Sequence, residues 1–560
     1  QFCPKLSARE EDGVCVCQAA VGPMSCFRLS RCSRRSRSGA ESPTAGTPLA
    51  KHVARDEESE ESGSETHEPA PPPPPPPISH AELRQEVIDT CRKMNRLGIN
   101  QGTSGNLSCR VPDGSGFLIT ASGVAYDSMT VEQVVYISLD GGYYYGAFLP
   151  SSEWRMHYDV YMQRPDARAV LHAHPTHCTA LAAQRRGIPA FHYMVAVAGG
   201  KEIPCAEYAS FGTQELSDAM LKSLGPLHNS VLLANHGMVC FSGSLQEALW
   251  LACETECLAR QYVLSLSTGG TPTLLPDEEM DTLATQLSAM RRRAVEASSA
   301  KVEASLKFLQ ERRSVIETCQ TMVQMDITTG LSGSASCRVE GGFLISPLGV
   351  PFERLSPEHI VFVDAAGAAD GGEGVPPASE WRLHRDVYRI APDAATVIHC
   401  RSAYCTALAA QRRCIPSFHY MVGVAGDKEV SCADYANFDS DDLGAGMMEA
   451  MRGGARKAAL LANHGMICWH ISPGKTLWLA NELESLARQY ICALSTRMEP
   501  ILLSDAEMDI MLAKFASYGK PAPKQGEQDK LTPFQRRHSI TAPAPRFAGP
   551  VMCDCCAPPE

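Results

Sequence analysis

One stretch of this chain occurs twice. TALAAQRRGIPAFHYMV, from Thr179 to Val195, returns as TALAAQRRCIPSFHYMV from Thr406 to Val422, 227 positions later. The same spacing relates Glu153 to Glu380, His172 to His399 and Tyr193 to Tyr420, while His236 and His464 differ by one residue more. Self-similarity over so long a period means duplicated globular domains and not a solenoid, whose units run to about 20–50 residues. A length of 560 residues also exceeds what one hydrophobic core ordinarily serves. Two copies of a domain of roughly 210 residues therefore stand in tandem, expected at 78–290 and 300–520.

The flanks read differently. Residues 1–77 combine an Arg/Ser tract (Arg28 to Arg37), an acidic run (Asp56 to Glu61) and prolines from Pro71 to Pro77, a composition too polar to offset the entropy of ordering. The prolines predict an extended polyproline II spacer, and a proline-binding module is a candidate reader of it. Residues 521–560 are Pro-rich and polar, with Arg536-Arg537-His538-Ser539 resembling a kinase site and Cys553-Asp554-Cys555-Cys556 at the end. Both flanks are expected to be disordered.

Charge and apolar patterning exclude several classes of partner. Lys and Arg total 51 against 63 Asp and Glu, a formal charge of −12, which disfavours sequence-independent binding to nucleic acid. No apolar run approaches the ~18 residues of a membrane helix. The 23 cysteines are scattered through core-like segments, as expected of reduced thiols and not of a disulfide scaffold. A cytoplasmic location follows as the expectation; the Arg- and Ser-rich stretch from Met24 also has the composition of an organelle transit peptide. The chain begins at Gln1, so its natural start is expected to be missing or processed.

Within the first copy the apolar period switches in order. Helices are predicted from Ala81 to Leu97, after Ser151-Ser152-Glu153 with the serines as N-cap, from about His177 to Arg185, and from about Leu245 to Leu264. Between them fall the turn Gly102-Thr-Ser-Gly-Asn106 and short strands such as Gly116–Thr120, Ala169–His174 and Val231–Asn235. Helices interspersed with short strands predict an α/β domain, a sheet covered on both faces.

Two histidines separated by one residue on a strand leave the same face, so the rings of His172 and His174 can reach one ion. The pair alone is weak, and two hydrogen-bonded core histidines would look the same. The context strengthens it: His236 follows another apolar strand, and Glu153 heads a helix. Three neutral imidazoles and a carboxylate suit a borderline divalent cation such as zinc. Gly237 after His236 would let the chain turn beside it. The turns at Gly102–Asn106, Ala121–Gly123 and Ser151-Ser152 offer amides and hydroxyls for an anionic phosphate.

The ordered set GTSGNLSCR (102–110), SSEWRMH (151–157), LHAHPTHCTA (171–180), IPAFHYMVAVAGGKEIPCAEYASFGT (188–213) and LLANHGM (232–238) resembles the class II aldolase and adducin head family. The likeness spans nearly all of 78–290 and, in diverged form, 300–520. It implies two three-layer α/β/α domains with mixed, mainly antiparallel sheets, working in a ring of four. It further implies zinc at His172, His174 and His236, with Glu153 both beside the metal and acting as acid/base. Gly105, Asn106, Ser122, Gly123, Ser151 and Ser152 would bind a substrate phosphate, and Tyr193 would be lent to a neighbouring site. The implied activity is a metal-dependent aldehyde-lyase: zinc as Lewis acid, Glu153 removing the proton beside a carbonyl, and a tyrosine protonating the alkoxide. The implied substrate is an L-fuculose 1-phosphate-like ketose 1-phosphate, cleaved to or formed from dihydroxyacetone phosphate and an aldehyde. The alternatives are an adducin-like non-catalytic scaffold and a pentulose-phosphate 4-epimerase.

The second copy departs from the pattern. It keeps Glu380, His399 and His464, but Arg401 stands where His174 would be, and arginine offers no lone pair to a cation. Ser334 replaces Asn106, Leu331 replaces Thr103 and Ala378 replaces Ser151. The expectation is one zinc per chain, in the first copy, and a second copy without activity in which Arg401 pairs with Glu380. Tyr420 would complete the first copy's site in a homodimer whose four domains alternate around a ring.

Overall fold

The computed structural model describes residues 79–142, 144–145, 147–298, 307–329, 332–370, 375–438 and 440–516. The expectations for both flanks, the transit-peptide stretch, the polyproline spacer and Leu331 lie outside them.

In the first copy the order is α1 (Ala81–Arg96), β1 (Asn106–Arg110), β2 (Gly116–Thr120), β3 (Val134–Ser138), β4 (Tyr144–Tyr145), α2 (Trp154–Gln163), β5 (Ala169–Ala173) and α3 (Thr176–Ala183). There follow β6 (Cys205–Ala206), α4 (Gln214–Leu224), β7 (Ser230–Leu233), β8 (Gly237–Ser242) and α5 (Leu245–Ser267), and α6 (Asp277–Ser298) leads towards the second copy. The second runs α7 (Leu309–Gln324), β9 (Ser334–Val339), β10 (Gly342–Ile345), β11 (Val361–Asp364), β12 (Ala369–Asp370), α8 (Trp381–Ile390), β13 (Thr396–Cys400), α9 (Ala403–Ala409), β14 (Cys432–Ala433), α10 (Asp441–Ala450), β15 (Ala458–Leu461), β16 (Gly465–His470), α11 (Pro473–Ser495) and α12 (Asp505–Phe515).

Each copy folds into an 8-stranded sheet, in the orders β4-β3-β2-β1-β5-β8-β7-β6 and β12-β11-β10-β9-β13-β16-β15-β14. Pairing is antiparallel except at β6–β7 and β14–β15, which are parallel. The sheets are mixed and mainly antiparallel, with helices on both faces, as expected.

Strand alternation decides what each face carries. On β5, Ala169, Leu171 and Ala173 pack towards α1, α3 and α5, while Val170 joins Phe241, Met156 and Leu216 on the α2 and α4 side. His172 shares the parity of Val170 and so emerges on that second face. Burying the larger of these, Val170, Leu171, Met156, Leu216 and Phe241, stabilises the fold by ~1.5–3 kcal/mol each. The register sets Asn106 of β1 opposite His172, and Val239 of β8 on its other side.

Two local devices hold the strand ends. Helix α3 begins after Pro175 without a side-chain cap of its own. Glu256 of α5 supplies one from a distance, accepting from the amides of His177 and Cys178; Glu484 does the same for Tyr404 and Cys405. At the β7–β8 turn Asn235 takes a left-handed φ of 55°, and Gly237 is needed for a different reason. A Cβ there would lie 2.4 Å from the Ala173 carbonyl oxygen, so close approach, and not left-handed backbone, demands glycine.

No helix among the described residues is long and apolar enough to cross a membrane. The described cysteines form no disulfide.

Candidate active site

Strand β5, the β7–β8 turn and the head of α2 bring His172, His174, His236 and Glu153 together. The three rings lie with centroids 4.7, 4.8 and 4.9 Å apart. Glu153 faces them, with Oε2 3.2 Å from His172 Nε2 and Oε1 3.1 Å from His236 Nε2. His174 Nε2 approaches His172 Nε2 to 3.0 Å.

The arrangement of protons fits a cation. The buried His172 donates its Nδ1–H to the Met238 carbonyl at 2.9 Å, which leaves the Nε2 lone pair directed at a carboxylate oxygen. Two acceptors at that separation repel unless a proton or a metal ion lies between them. Donor types and convergence suit zinc, with His172, His174 and His236 holding it and Glu153 beside it.

Glu153 is the N-cap residue of α2, yet its side chain makes no capping bond. The two serines do not cap the helix either, contrary to expectation: Ser151 Oγ accepts from the Glu153 amide at 3.3 Å, while the carboxylate turns inward to the imidazoles. A buried hydrogen-bond chain holds it there. Asn106 Nδ2 donates to Glu153 Oε2 at 2.9 Å, His157 Nε2 donates to Asn106 Oδ1 at 2.5 Å, and Ser108 Oγ bonds His157 Nδ1 at 2.7 Å and the Tyr161 hydroxyl at 2.8 Å. The Asn106 side chain, expected at a phosphate, is thus engaged by the carboxylate.

Burial alone would raise the Glu153 pKa, but His172 and His236 hold it well below the usual carboxylate range. Burial, followed by the neighbouring His172 and His236, lowers His174 to about 4. Burial likewise lowers His157 to about 3. The cluster is a carboxylate beside three imidazoles, of which His174 resists protonation.

A cavity of about 320 Å³ opens onto the cluster. Ser152, Glu153, His174 and His236 line it together with Ser104, Asn235, Tyr208 and Phe211. Gly105 sits at its edge in the chain, where a Cβ would meet the His172 carbonyl oxygen at 2.6 Å. Ser122 and Gly123 occupy the exposed turn after β2, tied to the Ser151 segment by an Ala121–Pro150 bridge. They do not line this cavity. Ser104 and Asn235 escaped individual notice, although both lie inside segments singled out from the sequence. Tyr208 and Phe211 carry no pattern that separates them from loop aromatics.

The second cluster is buried under the first copy. Glu380, His399 and His464 converge, and the Tyr193 hydroxyl donates to Glu380 Oε1 at 3.2 Å. Tyr193 therefore serves the neighbouring copy within its own chain and is absent from the cavity over Glu153. Arg401 does not pair with Glu380, contrary to expectation. Its guanidinium reaches Glu254 of α5 instead, at 3.2 and 3.4 Å, because that carboxylate is buried directly across the junction. Tyr420 is 48% exposed and stacks on Phe515 at 6.4 Å.

Sheet, cluster and cavity define a class of protein: a mixed-sheet α/β fold with an imidazole–carboxylate centre suited to a divalent ion. The Class II Aldolase and Adducin N-terminal domain matches residues 85–263 and again 313–491, and the chain belongs to that family. It is 47% identical over 199 residues to the L-fuculose phosphate aldolase of Escherichia coli (strain K12), covering 36% of this chain and 91% of that protein. It is 44% identical over 203 residues to the 5-methylthioribulose-1-phosphate/5-deoxyribulose-1-phosphate aldolase of Rhodospirillum rubrum (strain ATCC 11170), covering 36% and 90%. A solved structure of L-fuculose 1-phosphate aldolase matches at 37% identity, covering 38% of this chain and 98% of that one, with a TM-score of 0.36.

Proposed function

We propose that the first copy is a zinc-dependent aldolase that cleaves or forms a ketose 1-phosphate, with dihydroxyacetone phosphate and an aldehyde as the other side of the reaction. The observation that carries this is Glu153, ionised and buried, set between His172 and His236 at the floor of a cavity. Relatives named for L-fuculose phosphate and for 5-deoxyribulose 1-phosphate share a ketose 1-phosphate substrate, which supports the substrate class.

His172, His174 and His236 would hold the ion, and when bound it supplies Lewis acidity to the substrate's oxygens. Glu153 takes the proton from the carbon beside the carbonyl; its low pKa keeps it in the basic form. Asn106 fixes the orientation of that carboxylate. Ser104 and Ser152, with the backbone of Gly105 and the neighbouring turns at Ser122-Gly123 and Ser151, provide donors for the phosphate. A tyrosine hydroxyl protonates the alkoxide left on the aldehyde carbon.

Tyr193 is committed to Glu380, so the tyrosine at the first site is Tyr420 of a second chain. Two surfaces support this. Tyr193 and Asn463 are buried at the junction inside the chain, where the Tyr193 amide donates to the Asn463 carbonyl at 3.3 Å. Their counterparts, Tyr420 and Asn235, are exposed. Ile501 is 95% and Met498 72% exposed on the segment matching Gly270–Thr273, which the intrachain junction covers through the Thr273–Ala410 hydrogen bond. A homodimer that repeats the internal junction covers them all and places four domains in a ring.

The test is an assay of the purified chain with L-fuculose 1-phosphate, L-rhamnulose 1-phosphate and 5-deoxyribulose 1-phosphate, with and without a chelator. Turnover of at least one, abolished by chelator and restored by zinc, is the expected result. A chain without stoichiometric metal and without turnover fits the scaffold reading instead.

A further inference from the structure

The described residues hold a second convergence of metal-binding groups, and it lies in the copy whose pattern is broken. Glu380, His399 and His464 are all buried, with donor atoms within 4.8 Å of one another. Both ring nitrogens of His399 and Nε2 of His464 have no hydrogen-bond partner. Buried imidazole nitrogens are ordinarily satisfied, because desolvating them without a partner is costly. One unpaired nitrogen from each of two buried rings, with His464 Nε2 3.7 Å from Glu380 Oε1, leaves a place that a cation would fill.

The departure at Arg401 does not fill that place. Its guanidinium turns away, to Glu254 at 3.2 Å and over the Tyr193 ring at 5.8 Å. Arg401 and Glu254 cancel, so Glu380 is left as a single carboxylate beside the two rings. The first cluster has the same balance, with Glu153 as its carboxylate. What differs is closure: the Tyr193 hydroxyl bonds Glu380 Oε1, and Ser379 Oγ donates to Oε2 at 2.7 Å. A cavity of about 530 Å³ between the copies, with Glu380, Arg401 and Tyr193 in its wall, gives a route in.

We propose that Glu380, His399 and His464 form a second divalent-cation site, of the borderline class that imidazole and carboxylate together select, closed by Tyr193 and structural in role. It raises the expected occupancy from one ion per chain to two. Because Tyr193 and Glu254 belong to the first copy, the ion would sit at the junction and help fix the copies to one another.

The test needs no substrate. The whole chain is equilibrated with zinc, desalted and measured by elemental analysis. Wild type should carry two ions per chain, and His399→Ala, His172→Ala and the near-isosteric Glu380→Gln should each carry one. One ion in wild type, kept in His399→Ala and Glu380→Gln but lost in His172→Ala, overturns this proposal and leaves the first site standing. Two ions kept in His172→Ala count against the first site alone. Should His399→Ala unfold, Glu380→Gln decides, with circular dichroism confirming its fold.

Discussion

The two copies keep the same sheet and the same strand register but treat their carboxylates in opposite ways. In the first, the chain Tyr161–Ser108–His157–Asn106 ends on Glu153. In the second, Tyr388–Ser336–His384 ends on Ser334, whose hydroxyl bonds His384 at 2.8 Å. Serine is shorter than asparagine, and Glu380 is held from other directions, by Ser379 and Tyr193. One carboxylate is braced from behind and left uncovered at its cavity. The other, although it too lies in a cavity wall, carries the Tyr193 hydroxyl on it. The same fold thus supports an open centre and a closed one, and the choice turns on a few side chains at the junction.

The contrast breaks first at the metal ligands. His172→Ala should lower aldolase turnover by about 10³-fold or more, since a Lewis acid supplies several kcal/mol of transition-state stabilisation. His399→Ala should leave turnover far less affected, as measured by initial rates at saturating zinc. Equal losses would mean that the copies are not divided into open and closed.

The tyrosines come next. Tyr420→Phe should cost about 10²–10³-fold in kcat, the range of a lost general acid, while Tyr193→Phe stays within a few-fold of wild type. The reverse result would remove the dimer from the mechanism. Sedimentation of wild type should show two chains per particle, and Ile501→Asp should shift it towards one.

The junction itself can be weighed. Arg401→Met strands Glu254, a residue 2% exposed, and should destabilise the chain by about 3–5 kcal/mol. Arg401→Met with Glu254→Leu should recover most of that loss in urea unfolding. If the double variant is no more stable than the single, the pair is not the element that joins the copies.

A smaller change would turn one copy towards the other. Asn106→Ser recreates the second copy's truncated chain in the first. Loss of a group that orients a carboxylate beside a metal typically costs about 10–100-fold in activity or metal affinity, read here as kcat with the zinc affinity measured alongside. His157→Gln should fall in the same direction, because His157 acts only through Asn106.

Much of this contrast could be read before any coordinates. The repeat announces two domains, and His172 and His174 share a face because a strand alternates. The order of short strands and helices announces an α/β sheet, although its mixed, mainly antiparallel pairing came through the family resemblance. What stayed hidden depends on contacts across the chain. Glu254 and Arg401 meet only because α5 of one copy packs on α9 of the next, and no spacing in the sequence relates them. Tyr193 reads as a partner for another subunit's site, whereas duplication has made the neighbouring site part of the same chain. The serines before Glu153 read as a helix cap because capping is local, but the pull of two imidazoles on the carboxylate is not.

One property should fail to separate the copies. His157 and His384 are both buried, and burial lowers each from 6.5 to about 3. In the unfolded chain each returns to a value near 6.5, so below that pH the unfolded state binds protons that the folded state refuses. Stability is then unaffected above pH 6.5 and falls as the pH drops from about 6.5 towards 3, by about 1.4 kcal/mol per pH unit for each histidine. Urea midpoints measured across that window should decline in wild type, and His384→Gln and His157→Gln should flatten the slope by similar amounts. A slope that responds to His157→Gln alone would mean that the second copy's core takes up protons while folded, and that its resemblance to the first ends at the backbone.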